Sequence, residues 1–282
     1  MSVPADSDLP RTHQMHPPID VVRRNNIHET GNPTGPVLLF GHGFGCNQEM
    51  WRRVTPAFAE DYRIVLFDHV GSGGSDLGEY NPGKYDSLHG YAADVLEIIE
   101  NLGLRDVVYI GHSVGAIVGV LAAVRDPSAF RSLVLLSPSP CYVNDGDYLG
   151  GFDQTELDGL VDALDTNYFG WATTMAPVVM GNPDRPELGE ELTASFCTTD
   201  PTIARHFAEV VFLSDNRDDL SRVSTPTLII QSQNDPIAPV HVGEFVHDAI
   251  PGSRFTVVPV SGHCLNLSAP AEVSEAISAF LA

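Results

Sequence analysis

Positive charge is scarce in this sequence. The 282 residues contain 15 Lys and Arg against 37 Asp and Glu, which gives a formal net charge of −22, and Lys84 is the only lysine. Nucleic-acid binding needs clustered cations that neutralise phosphates, so no nucleic-acid partner is expected. An anionic membrane surface is unfavourable for the same reason. The acidic residues are spread over predicted loops and helix faces, which indicates a solvated surface.

Cysteine is also sparse, and its spacing carries no motif. No CxxC pair or metal-ligand spacing is present, so neither a disulfide framework nor a metal centre is predicted. No secretory signal is recognisable, and the longest apolar stretches, such as AIVGVLAAV, are shorter than a membrane-spanning helix requires. These absences predict a cytoplasmic protein without a membrane anchor, with four reduced, packed thiols: Cys46, Cys141, Cys197 and Cys264.

Apolar residues make up 43 % of the chain, enough for one large core. Residues 1–19 are polar and proline-rich without periodicity, which predicts a flexible leader before a single domain over 20–282. Six short runs rich in β-branched residues follow, and such runs are typical of strands buried on both faces. They are PVLLFG (36–41), RIVLFD (63–68), VVYIG (107–111), SLVLLS (132–137), TLIIQS (227–232) and FTVVPV (255–260).

Helical patterns lie between several of these runs, for example at residues 87–103. Strands that alternate with helices predict an α/β fold with a mostly parallel central sheet flanked by helices. The alternation stops between residues 138 and 221, where aromatic and helical fragments occur without a comparable strand run. We therefore predict a core of 20–137 and 222–282, with an all-helical insertion over the carboxyl ends of the strands, where open α/β sheets bind ligands.

The pentapeptide GHSVG at residues 111–115 lies between a predicted strand and a predicted helix. G-x-S-x-G at such a junction is typical of a nucleophile elbow, in which a strained backbone projects the serine hydroxyl above the sheet. Gly111 and Gly115 remove side chains that would clash in the bend. We predict Ser113 as the nucleophile, and an ordinary turn between strand and helix is the alternative.

A serine hydroxyl needs a base, and the base needs an orienting acid. Asp235 lies in the loop after TLIIQS, and His263 lies in the loop after FTVVPV. The order Ser, Asp, His, with each residue at a strand end, is the order found in α/β-hydrolases. We predict the catalytic triad Ser113, Asp235 and His263, although Asn-Asp-Pro is also good turn chemistry. The rival acids, which all precede the strand, are Asp215, Asp218 and Asp219.

Attack on a carbonyl also requires donors for the oxyanion. HGFG at residues 42–45 follows the first run, at the position where hydrolases supply one backbone N–H. We predict an oxyanion hole made by the N–H groups of Phe44 and Val114, and the alternative for HGFG is a simple glycine turn. The resulting mechanism is acyl transfer through Ser113, which needs no metal or organic cofactor.

Several longer segments resemble the RsbQ-like group of α/β-hydrolases, a bacterial stress-response hydrolase and its relatives, the plant karrikin and strigolactone receptors. The resemblance runs from about Pro36 to the C-terminus, and it includes segments of the insertion, where unrelated hydrolases diverge. It implies an α/β-hydrolase fold whose insertion is a four-helix, V-shaped lid over a mostly apolar pocket. The segments are GHGFGCNQEMW, FDHVGSGGSD, GHSVGA, SPSPCYVND, GGFDQTEL, NYFGWA and VFLSDNRDDL.

The same resemblance, carried over residue by residue, implies which side chains bind substrate. Met175 stands where the plant receptors have an aromatic residue, so the pocket is expected to be looser there. Each aromatic alone is typical of helix packing, but together, above a nucleophile, they favour a small hydrophobic ligand with an ester or lactone carbonyl. The substrate-binding residues implied are Phe44, Tyr142, Phe152, Trp171, Met175 and Phe212.

Three functions agree with these residues. The first is a signalling hydrolase that turns over a scarce small molecule and then activates a protein partner, which in the RsbQ-like case is a PAS-domain serine phosphatase. The second is a metabolic carboxylesterase or lactonase without such a partner. The third, a binding protein with a vestigial triad, is disfavoured because every catalytic position carries a chemically competent residue.

Overall fold

A computed structural model describes residues 20–282, and the predicted leader at 1–19 lies outside the described residues. Within 20–282, seven strands form one sheet in the order β1-β3-β2-β4-β5-β6-β7. Strand β1 is antiparallel to β3, and the other pairs are parallel. The predicted α/β fold is therefore confirmed. The strands are β1 (His28–Gly31), β2 (Val37–Gly41), β3 (Arg63–Leu66), β4 (Val107–His112), β5 (Phe130–Leu136), β6 (Thr227–Asn234) and β7 (Arg254–Ser261).

Six of these strands coincide with the apolar runs of the sequence. The central strands β2 and β4 are buried at every residue, which explains their continuous apolar sequence. Strand β1 was not predicted, because its sequence HETG is polar and mostly exposed. It pairs only with β3, at the edge of the sheet, so one side of it faces water and no apolar run is required.

Helices pack around the sheet and around each other. Helix α3 is apolar on all sides, because it packs against α2 as well as against β4 and β5. No helix within residues 20–282 has the length and apolar character needed to cross a membrane. The helices of the core are α1 (Val21–Arg24), α2 (Leu88–Asn101), α3 (Val114–Arg125), α9 (Val240–Ala249), α10 (Leu265–Ser268) and α11 (Pro270–Leu281).

The segment between β5 and β6 is helical. We call the whole segment at 138–221, which contains four longer helices, α4 to α7, the lid. Polar residues before the helices satisfy their first N–H groups, as in the capping box of Asp153 and Glu156 and in the N-cap of Asp200. Helix α5 packs against α6, and α4 packs against α7 and α5. The helices are α4 (Gln154–Thr166), α5 (Tyr168–Met180), α6 (Pro186–Phe196), α7 (Pro201–Phe212) and the short α8 (Arg217–Leu220).

The one lysine of the chain belongs to a buried ion cluster. Lys84 Nζ lies 2.6 Å from Asp94 Oδ1, and Arg24 Nη2 lies 3.3 Å from the same atom. The hydroxyl of Tyr85 donates to Asp94 Oδ2 at 2.9 Å. Asp94 is 1 % exposed, so its charge depends on these partners. The cluster ties α1 to α2.

Candidate active site

Ser113 stands at the sharp turn between β4 and α3. Its backbone has φ 55° and ψ −124°, a left-handed conformation that is strained for a serine. Its N–H donates to the carbonyl of Leu136 in β5 at 2.8 Å, which helps to hold the strained turn. A Cβ on Gly111 would lie 2.5 Å from the Gly115 carbonyl oxygen, and one on Gly115 would lie 2.5 Å from the His42 carbonyl oxygen. Both glycines are therefore required by the tight packing of this turn.

The structure brings Ser113, His263 and Asp235 together from three strand ends. His263 follows β7 and Asp235 follows β6, each one or two residues past the strand. His263 Nε2 lies 2.8 Å from Ser113 Oγ, and His263 Nδ1 lies 2.8 Å and 3.0 Å from the two carboxylate oxygens of Asp235. All three side chains are at least 95 % buried. The imidazole thus bridges the hydroxyl and the carboxylate.

The Asp235 carboxylate is held by further donors. The N–H groups of Ile237 and Ala238 donate to Oδ1 at 2.8 and 2.9 Å, and Gln231 Nε2 donates to Oδ2 at 3.3 Å. Burial acts to raise the pKa of Asp235, but the charge attraction and hydrogen bond of His263, together with the N–H groups of Ala238 and Ile237, outweigh burial and hold the pKa below its ordinary value. Asp235 is therefore a carboxylate at neutral pH, and Nδ1 of His263 carries the proton that it accepts.

The two N–H groups predicted to bind an oxyanion flank this site. Val114 is the first residue of α3, where N–H groups have no partner within the helix. Phe44 follows Gly43, whose carbonyl accepts a hydrogen bond from His42 Nδ1 at 2.8 Å. His42 Nε2 in turn accepts from the His69 N–H at 2.9 Å. Since the Gly43 carbonyl and the Phe44 N–H belong to one peptide unit, His42 fixes the direction of that N–H.

A cavity of about 40 Å³ lies directly above Ser113 and His263. Of the six predicted substrate-binding residues, Phe44, Tyr142, Trp171, Met175 and Phe212 line it. Burial raises the pKa of Tyr142 to about 12, so its phenol stays neutral. The remaining wall is mostly apolar and contains residues that sequence reasoning missed: Cys46, His112, Leu160, Val179, Leu192, Phe196, Val211, Ile237 and Cys264.

The structure does not place Phe152 on the cavity wall, so this expectation needs correction. Its backbone pairs with the strand segment around Tyr142: its N–H donates to the Tyr142 carbonyl at 3.1 Å, and its carbonyl accepts from the Asn144 N–H at 2.8 Å. Phe152 therefore pairs with the segment that carries Tyr142, and its side chain is partly buried against the core. The resemblance implied that Phe152 binds substrate, whereas the residues that line the cavity do not include it.

Phe44 closes the cavity from the core side. Its ring lies within 6.1 Å, centroid to centroid, of four lid rings, those of Trp171, Phe196, Phe207 and Phe212. Phe196 and Phe207 were not predicted, although each lies on the buried face of an amphipathic lid helix. The core and the lid thus meet in one aromatic cluster around Phe44.

Neighbouring reactive groups are held inactive. His112 Nε2 donates to the carbonyl of His263 at 2.9 Å, and burial lowers the pKa of His112 to about 3, so it is neutral. Burial raises the pKa of Cys46 to about 12, which keeps it a thiol. The four cysteines of the chain all lie within the described range and are unpaired there. Of the rival acids, Asp215 pairs with Arg217 at 2.6 Å.

Comparison with known proteins finds similar sequences and structures. The sequence matches the family model described as the alpha/beta hydrolase family over residues 37–276. It is 38 % identical to the karrikin insensitive 2 receptor IA of Petunia hybrida over 234 residues, 83 % of this chain and 85 % of that protein. It is 34 % identical to a strigolactone esterase of Arabidopsis thaliana over 258 residues, 91 % of this chain and 96 % of that protein.

A solved structure of a hydrolase from Oleispira antarctica is similar over nearly the whole molecule. The TM-score is 0.90 at 42 % sequence identity, and the match covers 93 % of this chain and 96 % of that chain. At 42 % identity, the two proteins are similar in sequence as well as in fold.

Proposed function

The chain belongs to the alpha/beta hydrolase family and is an ester-hydrolysing enzyme of esterase or lactonase type; from that premise we propose that it is a serine hydrolase in which Ser113, His263 and Asp235 act as the catalytic triad. The observation that carries the proposal is the 2.8 Å contact between Ser113 Oγ and His263 Nε2, with Nδ1 of the same ring on Asp235. This is the geometry by which a base activates a serine.

The reaction proceeds through an acyl-enzyme. Ser113 Oγ attacks the carbonyl carbon while its proton passes to His263 Nε2, and the N–H groups of Phe44 and Val114 stabilise the oxyanion. The carbon–oxygen bond to the leaving alcohol then breaks, and the alcohol takes the proton from His263. Water repeats both steps on the acyl-Ser113 ester and releases the acid. Asp235 holds the imidazole and stabilises its charged form.

The cavity supports a small, apolar acyl group as substrate. Its walls are mostly aromatic and aliphatic, and its free volume of about 40 Å³ is room for only a few water molecules. A larger ligand therefore requires Phe44 or the lid helices to move. Tyr142 and Trp171 bring polar hydrogens to the walls and are the groups available to orient an ester or lactone.

We place the enzyme in small-molecule signalling, with a protein partner that responds to ligand turnover. The support is the level of identity to a protein named a karrikin insensitive 2 receptor, together with the RsbQ-like sequence segments. In the RsbQ-like group that partner is a PAS-domain serine phosphatase. The second candidate is a metabolic carboxylesterase or lactonase, and the relative named an esterase supports it.

Two experiments test these proposals. A fluorophosphonate probe should label the wild-type protein and fail to label Ser113→Ala, while the variant keeps its circular dichroism spectrum. Labelling of the variant would refute the assignment of Ser113 as the nucleophile.

For the signalling role, the tagged protein is expected to retain a PAS-domain phosphatase from a lysate of its host. Broad, fast turnover of short-chain esters with no retained phosphatase would favour the metabolic enzyme.

A further inference from the structure

The side chain of Asn182 bridges the lid and the loop that carries His263. Asn182 lies two residues beyond the end of α5. Its Nδ2 donates to the carbonyl of Ser261, two residues before His263, at 2.9 Å, and also to the carbonyl of Met180 in α5. Arg185 donates to its Oδ1. Both the amide nitrogen and the amide oxygen of Asn182 are therefore hydrogen-bonded. The nitrogen bonds to a residue 79 positions away in the sequence.

Backbone contacts at the same place are equally close. The N–H of His263 donates to the carbonyl of Val179 in α5 at 2.9 Å. Gly181 and Gly262 face each other so closely that a Cβ on Gly181 would lie 2.7 Å from Gly262 Cα, and a Cβ on Gly262 would overlap the Met180 carbonyl oxygen. We call these contacts, formed by residues 179–182 of the lid and 261–263 of the core, the seam.

The seam supplies two of the hydrogen bonds that hold the backbone of the His263 loop. From the core, Gly262 N–H donates to the Asn234 carbonyl at 2.9 Å, and His112 donates to the His263 carbonyl. From the lid come the bonds to Val179 and Asn182. Val179 also lines the cavity above Ser113. One lid residue thus touches both the substrate space and the backbone of the proposed base.

We propose that Asn182 is a positioning residue for His263, which it holds through the seam. The inference rests on the proposed function, since it takes His263 as the general base. The imidazole must stay within hydrogen-bond reach of Ser113 Oγ and of Asp235, and a displacement of the loop by less than an ångström lengthens both contacts. The lid therefore assists the chemistry through its backbone connection to His263, in addition to forming the wall of the cavity.

The test compares two substitutions of Asn182 with a matched lid asparagine. Asn182→Ala removes the bridge, and Asn182→Asp keeps an acceptor for Arg185 but turns an oxygen towards two carbonyls. Asn144→Ala is the control, because Asn144 makes two hydrogen bonds of its own, to Asp153 and Gly151, within the lid segment. With p-nitrophenyl acetate, kcat should fall about 10-fold in both Asn182 variants while KM changes less than about twofold. The control should keep both constants.

A second measurement separates positioning from general lid stability. The downfield proton NMR signal of His263 Nδ1–H, which reports its bond to Asp235, should shift or broaden in Asn182→Ala and stay unchanged in Asn144→Ala. Wild-type kcat with an unchanged signal, or a rise in KM alone, would overturn the proposal. If Asn182→Ala does not fold, Asn182→Ser is judged by the same criteria. Activity retained by Ser113→Ala would instead overturn the proposed function.

Discussion

The core and the lid contribute to the same cavity by different means. In the core, backbone geometry fixes the reacting groups: Ser113 sits on a turn held by the Leu136 carbonyl, and Asp235 receives two backbone N–H groups. In the lid, side-chain packing fixes the walls: Trp171 stacks on Phe196 with ring centroids 5.5 Å apart. The reacting groups thus depend mainly on strand ends and the cavity walls on helix packing, and the two regions are linked at the seam.

The largest expected effect is a loss of catalytic rate, caused by a substitution in the core that leaves the lid unchanged. In Asp235→Asn, the amide nitrogen faces His263 Nδ1, which must then accept a hydrogen bond and leave its proton on Nε2. The imidazole can no longer take the proton of Ser113, so kcat should fall about 10⁴-fold with little change in KM. Steady-state kinetics with p-nitrophenyl acetate measure this effect. Activity within tenfold of wild type would mean that another acid orients the base.

The next prediction compares the stability of the two regions. Leu39 in β2 and Leu157 in α4 are both 0 % exposed. Leu39→Ala should lower the free energy of global unfolding by about 2–5 kcal/mol, because the sheet cannot collapse around the cavity. Leu157→Ala should act mainly on local opening of the lid, with a smaller shift of the urea midpoint.

Limited proteolysis with mass spectrometry completes this second comparison. Leu157→Ala should be cleaved faster than wild type within residues 138–221, while Leu39→Ala should show no such preference. Equal losses of global stability in the two variants, without preferred cleavage in the lid, would show that core and lid unfold as one unit.

The same division explains what the sequence could reveal. The positions of Ser113, Asp235 and His263 were predictable because each follows an apolar run that forms a parallel strand, and the end of a parallel strand has a known place in the sheet. The fold followed from the same strands, except β1, whose polar sequence carries no burial signal. These features depend on local sequence and on strand order.

The lid was less predictable because its contacts join distant segments. Phe196 and Phe207 look like ordinary apolar positions of amphipathic helices, and only the tertiary packing turns them towards Phe44. Phe152 was assigned to the pocket by resemblance, whereas its backbone pairs with the Tyr142 segment and its side chain is not part of the cavity lining. The bond between Asn182 and Ser261 spans 79 residues and has no sequence motif.

A smaller effect is expected where core and lid meet. Phe44→Ala keeps the backbone N–H proposed for the oxyanion but removes the ring that contacts four lid aromatics. The enlarged cavity should raise kcat/KM for p-nitrophenyl hexanoate relative to the acetate by about 10- to 100-fold, the effect of about one additional methylene fitted in the cavity at roughly 1–3 kcal/mol. Phe169→Ala, at an exposed position of α5, is the control. An unchanged preference would mean that Phe44 does not limit the acyl length.

The smallest effect concerns stability against pH and isolates the charge pair of the core. The folded pKa of Asp235 lies below its ordinary value, so its contribution to stability is present above the unfolded pKa of about 3.9 and is lost as pH falls through the folded pKa. The difference in unfolding free energy between wild type and Asp235→Asn should therefore shrink as the pH falls below about 4. Urea titrations at several pH values measure this difference.

In a His263→Gln background the pH-dependent part of the difference should become smaller, because the attraction that lowers the pKa of Asp235 is removed. An equal pH dependence in that background would assign the lowered pKa to the backbone donors alone.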